Sequence, residues 1–376
     1  MGGSIPLFRI SGIMLRMHIT FPLILIWGAI QFGWLNGQGL PGAIFGVVVF
    51  LLLFVIVVLH ELGHSYAAKY YGVAVKEIVL LPIGGVAQLA RIPEEPVQEF
   101  VIAIAGPLVN FVLAIVMLVL GLALGQGFDW ISLAVLREGM GTLNLLSIAN
   151  YVFISNLFLA IFNLIPAFPM DGGRVLRALL ATSLDYVTAT RIAAAVGQAL
   201  ALLFGLWGFL GGGFFIILLA IFVYMGASQE SQVVQIRHTL GNLKVAQAYS
   251  HGARTLPPTA TLQDAVALIL SSFQADFPVC EEGRLIGMLT QARLLEQLNL
   301  RGPATPVGEV MVTDVTPASP GDEVFVVQQR MVESNIDALP VVEGGQFLGL
   351  ITSRDISELY RLVSTQPDLV AAIKTK

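Results

Sequence analysis

The first 229 residues alternate between long apolar runs and short polar intervals. The apolar runs lie at about 19–34, 42–68, 101–124, 143–168, 187–210 and 214–225. A helix needs about 20 apolar residues to cross the hydrocarbon of a bilayer, and most of these runs are long enough. The pattern predicts a polytopic α-helical membrane protein with about six transmembrane helices, of which the sixth is short.

Two polar stretches in this region have patterns of their own. Residues 1–17 form a short amphipathic lead. Residues 73–89 are rich in β-forming residues and are broken at Gly84 and Gly85, which is typical of two strands joined by a turn. We therefore expect a small membrane-associated β-hairpin or sheet between the second and third helices.

The pattern changes after residue 229. Residues 1–229 hold 18 charged side chains (Asp, Glu, Lys and Arg), whereas the shorter remainder holds 27. Within this tail, residues 277–290 align without a gap with residues 339–352. Each copy reads as strand, glycine turn, strand and helix, with a further helix before it. The tail is therefore predicted to be a soluble α/β unit built from an internal repeat.

These patterns divide the chain into predicted domains. A membrane domain covers residues 1–229, a helical linker covers 230–243, and a soluble domain covers 244–376. The two copies within the soluble domain are about 244–303 and 304–364, followed by a C-terminal tail. A membrane part is thus followed by a soluble part.

Composition agrees with an integral membrane protein. The chain is 56% apolar with a mean hydropathy of +0.81, whereas about half of a soluble protein is apolar. Its single cysteine, Cys280, cannot form an internal disulfide, so a cytosolic location of the tail is compatible with the sequence. The net charge of −5 and the lack of a basic stripe argue against a nucleic-acid partner.

Positive charges indicate how the chain is oriented. Six spans would place both termini on one side of the membrane. The lead, the hairpin interval and the loop after the fourth span carry Arg9, Arg16, Lys69, Lys76, Arg91, Arg174 and Arg177. The loops on the opposite side carry only Arg137. By the positive-inside rule, both termini and the soluble domain are predicted to be cytoplasmic, in a multi-pass protein of the cell inner (plasma) membrane.

Ionisable residues stand at the end of the second apolar run, where His60-Glu61-Leu62-Gly63-His64 follows ten apolar residues. Two histidines four positions apart lie on one face of a helix, so both can reach one metal ion, with Glu61 beside it as a base. An ionisable group within a span costs on the order of 3 kcal/mol, which makes it a functional hypothesis. The alternative is that the three residues only cap a buried helix.

A carboxylate is predicted at a similar depth in the fourth run. Asp171 follows a segment interrupted by Pro166 and Pro169, and it precedes Gly172 and Gly173. The second and fourth spans run in the same direction, so Asp171 is expected on the same side as the histidines. Two histidines and one carboxylate leave a fourth position for water, as catalytic zinc requires. The alternative is that Asp-Gly-Gly is a turn that ends the helix.

The first 229 residues resemble the site-2 proteases, a family of intramembrane zinc metalloproteases that cut membrane-embedded substrates. The matching segments are 60–64, the Ala-Gly-Pro-Leu-Val-Asn segment at 105–110, and 163–174. The resemblance implies that His60, His64 and Asp171 bind one zinc ion, and that Glu61 takes the proton from the attacking water.

The same resemblance bears on substrate binding. It implies that Asn163 positions the substrate, although an interhelical hydrogen bond is an open alternative for this side chain. It also implies that the strands around Gly84 and Gly85 hold a membrane protein substrate in an extended form, because a helix hides its peptide bonds. Regulated intramembrane proteolysis and a regulatory membrane protein as a second partner follow from the same resemblance.

The tail resembles a tandem pair of cystathionine-β-synthase (CBS) domains, a module that often binds adenine nucleotides such as ATP or AMP. In the second copy, Thr352 and Asp355 match the hydroxyl and carboxylate that would hold phosphate and ribose. In the first copy, Arg293 stands where that aspartate would fall. A nucleotide sensor and a purely structural or dimerising pair both remain open. CBS pairs commonly dimerise, so the resemblance is compatible with a homodimer through this pair.

Two other classes of function are compatible with part of this pattern. CBS pairs are also attached to channels and transporters, in which the ionisable residues of the two spans could bind or conduct a metal ion. A non-catalytic adaptor is the third reading, which the intact metal-binding residues disfavour. Glu61 between the histidines and the predicted hairpin favour a protease, because a transporter needs neither.

Overall fold

The structure is a computed structural model that describes residues 3–82, 84–89, 93–124, 145–241, 243–272 and 274–365. Arg91 and Arg137, two of the cations used to predict orientation, lie outside these residues. The chain divides into two compact units, Met1–Gln232 and Val233–Lys376.

The first unit is mainly helical. Its helices are α1 (Pro22–Leu35, with a π-helical last turn), α2 (Gly39–Tyr70), α3 (Pro96–Ala123), α4 (Leu145–Asn163), α5 (Asp171–Ala181), α6 (Tyr186–Trp207, continued by a π-helical turn to Gly212) and α7 (Phe214–Leu240). Within the described ranges, five of these are long and apolar enough to cross a membrane, namely α2, α3, α4, α6 and α7. The prediction of a polytopic helical membrane protein is thus confirmed.

The predicted first span forms the shorter helix α1. Its length is about 21 Å at 1.5 Å per residue, compared with a hydrocarbon core of about 30 Å. The helix runs antiparallel to α2, because Phe21 packs on Phe54 at a ring-centroid distance of 4.2 Å and Phe32 packs on Phe45 at 5.5 Å. Helices α1 and α2 therefore form a hairpin, and α1 starts beside the half of α2 that carries the histidines.

Two other runs differ from their predicted bounds. The fourth ends as a helix at Asn163, and residues 164–170 are irregular before the separate helix α5 begins at Asp171. The sixth is not short, since α7 continues without a break to Leu240, through most of the predicted linker.

The membrane unit contains a four-stranded sheet. Its strands are β1 (Ser4–Ile10), β2 (Ile13–His18), β3 (Val75–Leu81) and β4 (Gly84–Leu89), in that spatial order. The expected hairpin is β3–β4, and the amphipathic lead forms the other two strands. Strand β2 pairs in parallel with β3, with Met14 opposite Glu77, so residues far apart in sequence share the sheet. Strand β4 is an edge strand.

The second unit contains the predicted repeat. Its elements are α8 (Leu262–Ser271), β5 (Phe277–Glu281), β6 (Arg284–Leu289), α9 (Gln291–Arg301), α10 (Val324–Ser334), β7 (Ala338–Glu343), β8 (Gln346–Thr352) and α11 (Ser353–Thr365). Each copy therefore reads helix, strand, strand, helix. Phe277 and Leu289 lie in the core of the first copy, and their repeat partners Leu339 and Ile351 lie in the core of the second.

Candidate active site

Helix α2 brings two histidines to one buried face. His60 and His64 are 6% and 5% exposed. Helix α3 passes close to this face because Gly63 has no side chain, and a Cβ there would lie 2.8 Å from the carbonyl oxygen of Ala105. Gly106 of α3 faces the rings directly, since a Cβ at this position would lie 2.8 Å from Cε1 of His60. The two helices thus approach each other closely where the histidines stand.

Helix α3 also orients both imidazole rings. Nδ1 of His60 lies 2.6 Å from Oδ1 of Asn110, and Nδ1 of His64 lies 2.7 Å from the carbonyl oxygen of Ile102. A carbonyl oxygen can only accept a hydrogen bond, so Nδ1 carries the proton in each ring. Each Nε2 is then left with a free lone pair, which is the form of histidine that binds a metal.

The third member of the group is Asp171, the first residue of α5. Its Oδ2 lies 3.2 Å from Nε2 of His60 and 3.2 Å from Nε2 of His64, and the two Nε2 atoms are 3.1 Å apart. A tetrahedral zinc ion with bonds of about 2.0–2.1 Å keeps its ligand atoms roughly 3.3 Å apart. The three atoms therefore stand at the separations that one zinc ion requires.

The loop before Asp171 depends on two glycines. A Cβ on Gly172 would lie 2.5 Å from the carbonyl carbon of Leu164, and a Cβ on Gly173 would lie 2.6 Å from the backbone nitrogen of Phe168. The first turn of α5 therefore packs directly against the irregular segment 164–170. Asp171 is delivered by this packed turn and not by the last turn of α4.

The side chain of Glu61 projects from helix α2 towards the sheet. Its Oε2 accepts a hydrogen bond of 3.2 Å from the backbone N–H of Ala87 in β4. Gly85 packs against the same side chain, because a Cβ there would lie 2.8 Å from Cγ of Glu61. Gly84 has a φ of +141°, which a residue with a side chain rarely adopts. Of the two predicted glycines, Gly85 is thus a direct neighbour of the glutamate, and Gly84 precedes it in the strand.

Asn163 stands apart from this group. It is the last residue of α4 and is half-buried. Within the described part of the chain, no hydrogen bond links its side chain to the two histidines or to Asp171. The asparagine that does contact a histidine is Asn110, which also donates to Oδ1 of Asn156 at 3.1 Å.

In the second unit, Thr352 and Asp355 line one cleft of about 700 Å³, together with Tyr249, His251 and Arg354. Oδ2 of Asp355 accepts hydrogen bonds from the hydroxyl of Thr352 at 2.7 Å and from its backbone N–H at 2.9 Å. In the first copy, Arg293 instead donates to the carbonyl oxygen of Val310 at 3.1 Å.

Sequence reasoning missed three features of the site: the carbonyl of Ile102, the role of Asn110 beside His60, and the buried pair of Glu99 and Arg177. A signal for α3 was present, since positions 99, 106 and 110 fall on one helix face. The prediction of orientation counts Arg177 among the loop cations. This is wrong, because its side chain is fully buried and donates a hydrogen bond to Glu99.

Comparison with known proteins identifies the family of both parts of the chain. A model of peptidase family M50 matches residues 48–204, and a model of the CBS domain matches residues 245–300 and 307–361. The chain is 38% identical to the zinc metalloprotease MJ0392 of Methanocaldococcus jannaschii, over 98% of this chain and 99% of that protein. The Rip3 protein of Mycobacterium tuberculosis is 28% identical over 98% of this chain and 96% of its own length.

A solved structure of a site-2 protease from Methanocaldococcus jannaschii aligns at 47% sequence identity, with a TM-score of 0.44, over 61% of this chain and 95% of that chain. The full-length match to a zinc metalloprotease and the two family models agree on both parts of the sequence. The chain therefore belongs to peptidase family M50, the membrane zinc metalloproteases known as site-2 proteases, and it carries a tandem pair of CBS domains.

Proposed function

We propose that this metalloprotease is an intramembrane endopeptidase that hydrolyses a peptide bond of a membrane-associated protein near the cytoplasmic face. The observation that carries the proposal is the set of separations of 3.1–3.2 Å among Nε2 of His60, Nε2 of His64 and Oδ2 of Asp171. In this proposal, the three residues bind one zinc ion per chain, and Glu61 on the same helix is the general base.

The chemistry follows from the donor set. A bound zinc ion supplies a Lewis acid that polarises a carbonyl and activates water. Asp171 and the two histidines would hold it and supply one negative charge, while Asn110 and the carbonyl of Ile102 keep both Nε2 atoms available. Glu61 receives the proton of the attacking water and passes it to the leaving amine. Its bond to the N–H of Ala87 holds the carboxylate beside the sheet edge.

Strand β4 is the proposed site of substrate binding. It is the last strand of the sheet, and among the residues that the structure describes no strand pairs with its other side. An extended peptide can pair with such an edge, which exposes the peptide bond that a helix would hide. Gly85 lets strand β4 lie close against the side chain of Glu61. Gly84 and Gly85 are proposed to position the substrate at this edge, and Asn163 is proposed to contact it from the end of α4.

Replacing the base tests this assignment. We expect the variant Glu61→Gln to fold and to bind one zinc ion, while cleavage falls by about 10²–10⁴-fold, because proton transfer is lost but all three proposed ligands remain. Membranes of cells that express this variant should accumulate the uncut substrate, which quantitative proteomics against the wild type would identify. Zinc content is measured on the same preparations.

The matched control is Glu77→Gln, which changes a carboxylate of β3 on the same sheet. It should retain cleavage. Substrate cleavage by Glu61→Gln at the wild-type rate would contradict the proposal. Zinc flux into proteoliposomes, at the same rate for the wild type and Glu61→Gln, would instead indicate a transporter.

We further propose that the cleft of the CBS pair binds an adenine nucleotide. Thr352 and Asp355 supply a hydroxyl and a carboxylate on the same cleft wall, suited to phosphate and ribose, and Arg354 adds a positive charge. The nucleotide is proposed to regulate proteolysis, and the pair is proposed to form a homodimer. A regulatory membrane protein remains a proposed second partner.

The proposed location is the inner membrane, with both termini and the CBS pair cytoplasmic. The antiparallel hairpin of α1 and α2 supports placing the N-terminal segment on the same side as the end of α2. The sheet also supports it, since strand β2 of the N-terminal segment pairs with β3, next to the end of α2. The proposed domain bounds are those predicted above, 1–229, 230–243 and 244–376.

A further inference from the structure

A buried ionic cluster lies behind the metal-binding residues. Arg177 of α5 is fully buried. Its Nε donates to Oε1 of Glu99 on α3 at 2.8 Å, and its Nη2 donates to the same oxygen. Its Nη1 donates to Oε1 of Glu230 on α7 at 2.6 Å. Three helices thus meet at one guanidinium group.

The same guanidinium group also contacts the loop that precedes Asp171. Its central carbon lies 4.9 Å from the ring centre of Phe168 and 4.9 Å from that of Tyr186, within the range of a cation–π contact. Phe168 is three residues before Asp171, and its backbone nitrogen packs against Gly173. Arg177 therefore contacts both the helix that begins with Asp171 and the loop that leads into it.

Helix α3 is the common support of the metal-binding group. Glu99 binds Arg177, the carbonyl of Ile102 binds His64, and Asn110 binds His60. Positions 99, 102, 106 and 110 fall on one face of the helix, at intervals of three and four residues. One rigid helix thus holds the histidines at one point and the Asp171 segment at another.

We propose that the Glu99–Arg177 pair is a positioning pair, which sets the separation between Asp171 and the two histidines and thereby the affinity of the site for zinc. The inference rests on the proposed ligand set. A pair that only stabilised the fold would alter unfolding without altering the metal site. The two roles are separable by experiment, because one acts through Asp171 and the other does not.

The experiment measures zinc affinity of the full-length protein in lipid nanodiscs by competition with a chelator. We expect Arg177→Lys and Glu99→Gln each to weaken zinc binding by about 10–100-fold, the usual effect of removing a group that orients a metal ligand. Lysine keeps the charge but loses the flat, forked donor that reaches Glu99 and stacks on Phe168. The absorption spectrum of the cobalt(II)-substituted protein should change in both variants, since it reports ligand geometry.

A double-mutant cycle with Asp171→Asn separates positioning from stability. If Arg177 acts through Asp171, Arg177→Lys weakens zinc binding in the wild type and has little further effect once Asp171 is replaced. The control is Phe45→Leu, a fully buried position in the first half of α2, on the N-terminal side of His60. It should lower the unfolding temperature and leave zinc affinity and the cobalt spectrum unchanged.

Two results would overturn the proposal. The first is that Arg177→Lys and Glu99→Gln both keep the zinc affinity and the cobalt spectrum of the wild type. The second is that Arg177→Lys weakens zinc binding equally in the presence and in the absence of the Asp171→Asn substitution. If Arg177→Lys does not fold, Glu99→Gln alone decides. Glutamine keeps the size of the side chain and one acceptor for Arg177, which favours folding, but it loses the negative charge that holds the guanidinium group, so zinc affinity should still fall. Wild-type zinc affinity of Asp171→Asn itself would identify a different failure, that of the proposed ligand set.

Discussion

At the scale of single residues, the absence of side chains matters as much as their presence. Gly106 lies where both imidazole rings pass α3, and the rings take the space that a side chain would need. Asn110 is oriented in turn, since its amide donates to Asn156, which leaves its oxygen for His60. The geometry of the two histidines is therefore set by groups outside the proposed zinc ligands.

The substitution Gly106→Ala tests whether the imidazole rings need this space. The new methyl group would lie 2.6 Å from Cε1 of His64 and 2.8 Å from Cε1 of His60, well inside van der Waals contact. We expect both rings to be displaced, zinc affinity to fall by at least about tenfold, and cleavage to be lost. Zinc content after dialysis against a chelator and cleavage of the accumulated substrate measure the two effects.

A matched control is Gly205→Ala on α6. A Cβ at Gly205 would meet only Cβ of Ala220, at 3.7 Å, which is ordinary contact. Both substitutions remove a helical glycine, so any general gain in helix propensity is common to them. Equal zinc content in Gly106→Ala and Gly205→Ala would show that the rings tolerate the methyl group and would refute the prediction.

At the scale of elements, the same local motif occurs in both copies of the tail with different surroundings. Asp264 accepts hydrogen bonds from the hydroxyl and the backbone N–H of Thr261, both at 2.8 Å, at the start of α8. These bonds hold the pKa of Asp264 below its usual value. Asp355 makes the same two bonds to Thr352 at the start of α11, but it also lines the cleft.

This pair of motifs gives a test of nucleotide binding. We expect Asp355→Ala to weaken the binding of AMP or ATP by at least tenfold, because the carboxylate proposed to hold the ribose is lost. Asp264→Ala removes an equivalent cap outside the cleft and should leave nucleotide affinity unchanged. Isothermal titration calorimetry on the full-length protein measures both. Equal affinities in the two variants, or no binding by the wild type, would contradict the proposal.

At the scale of the whole molecule, orientation is the property with the widest consequences. A cytoplasmic tail would expose the proposed nucleotide cleft to the cellular pool of adenine nucleotides. Arg177 does not add to the positive charge of the loops, because it is buried in an ion-paired cluster. Lys69, near the end of α2, and Lys76 of β3 are both exposed.

The orientation prediction is tested with introduced thiols. Burial raises the pKa of the Cys280 thiol and slows its labelling, so a Cys280→Ser background is used. We expect a cysteine at Ala292, an exposed position of α9, to react with a membrane-impermeant maleimide only in inside-out vesicles. A cysteine at Ser132, between the third and fourth predicted spans, should react only in right-side-out vesicles. Labelling of both positions from one side would reject the topology.

Much of this molecule follows from the sequence alone, because its signals are local. Long apolar runs predict helices that cross a membrane, the repeat at 277–290 and 339–352 predicts two similar folding units, and a spacing of four places His60 and His64 on one helix face. Each of these patterns is visible along the linear sequence, so no knowledge of packing is needed to recognise it.

Tertiary structure decided the contacts between distant residues. Asp171 meets the histidines because its own helix starts at a glycine-packed turn, and Met14 pairs with Glu77 across 63 positions of sequence. Arg177 is indistinguishable from a loop cation until Glu99 and Phe168 are placed around it. Such contacts depend on which helix faces pack together, and periodicity within one helix carries no information about the face of another.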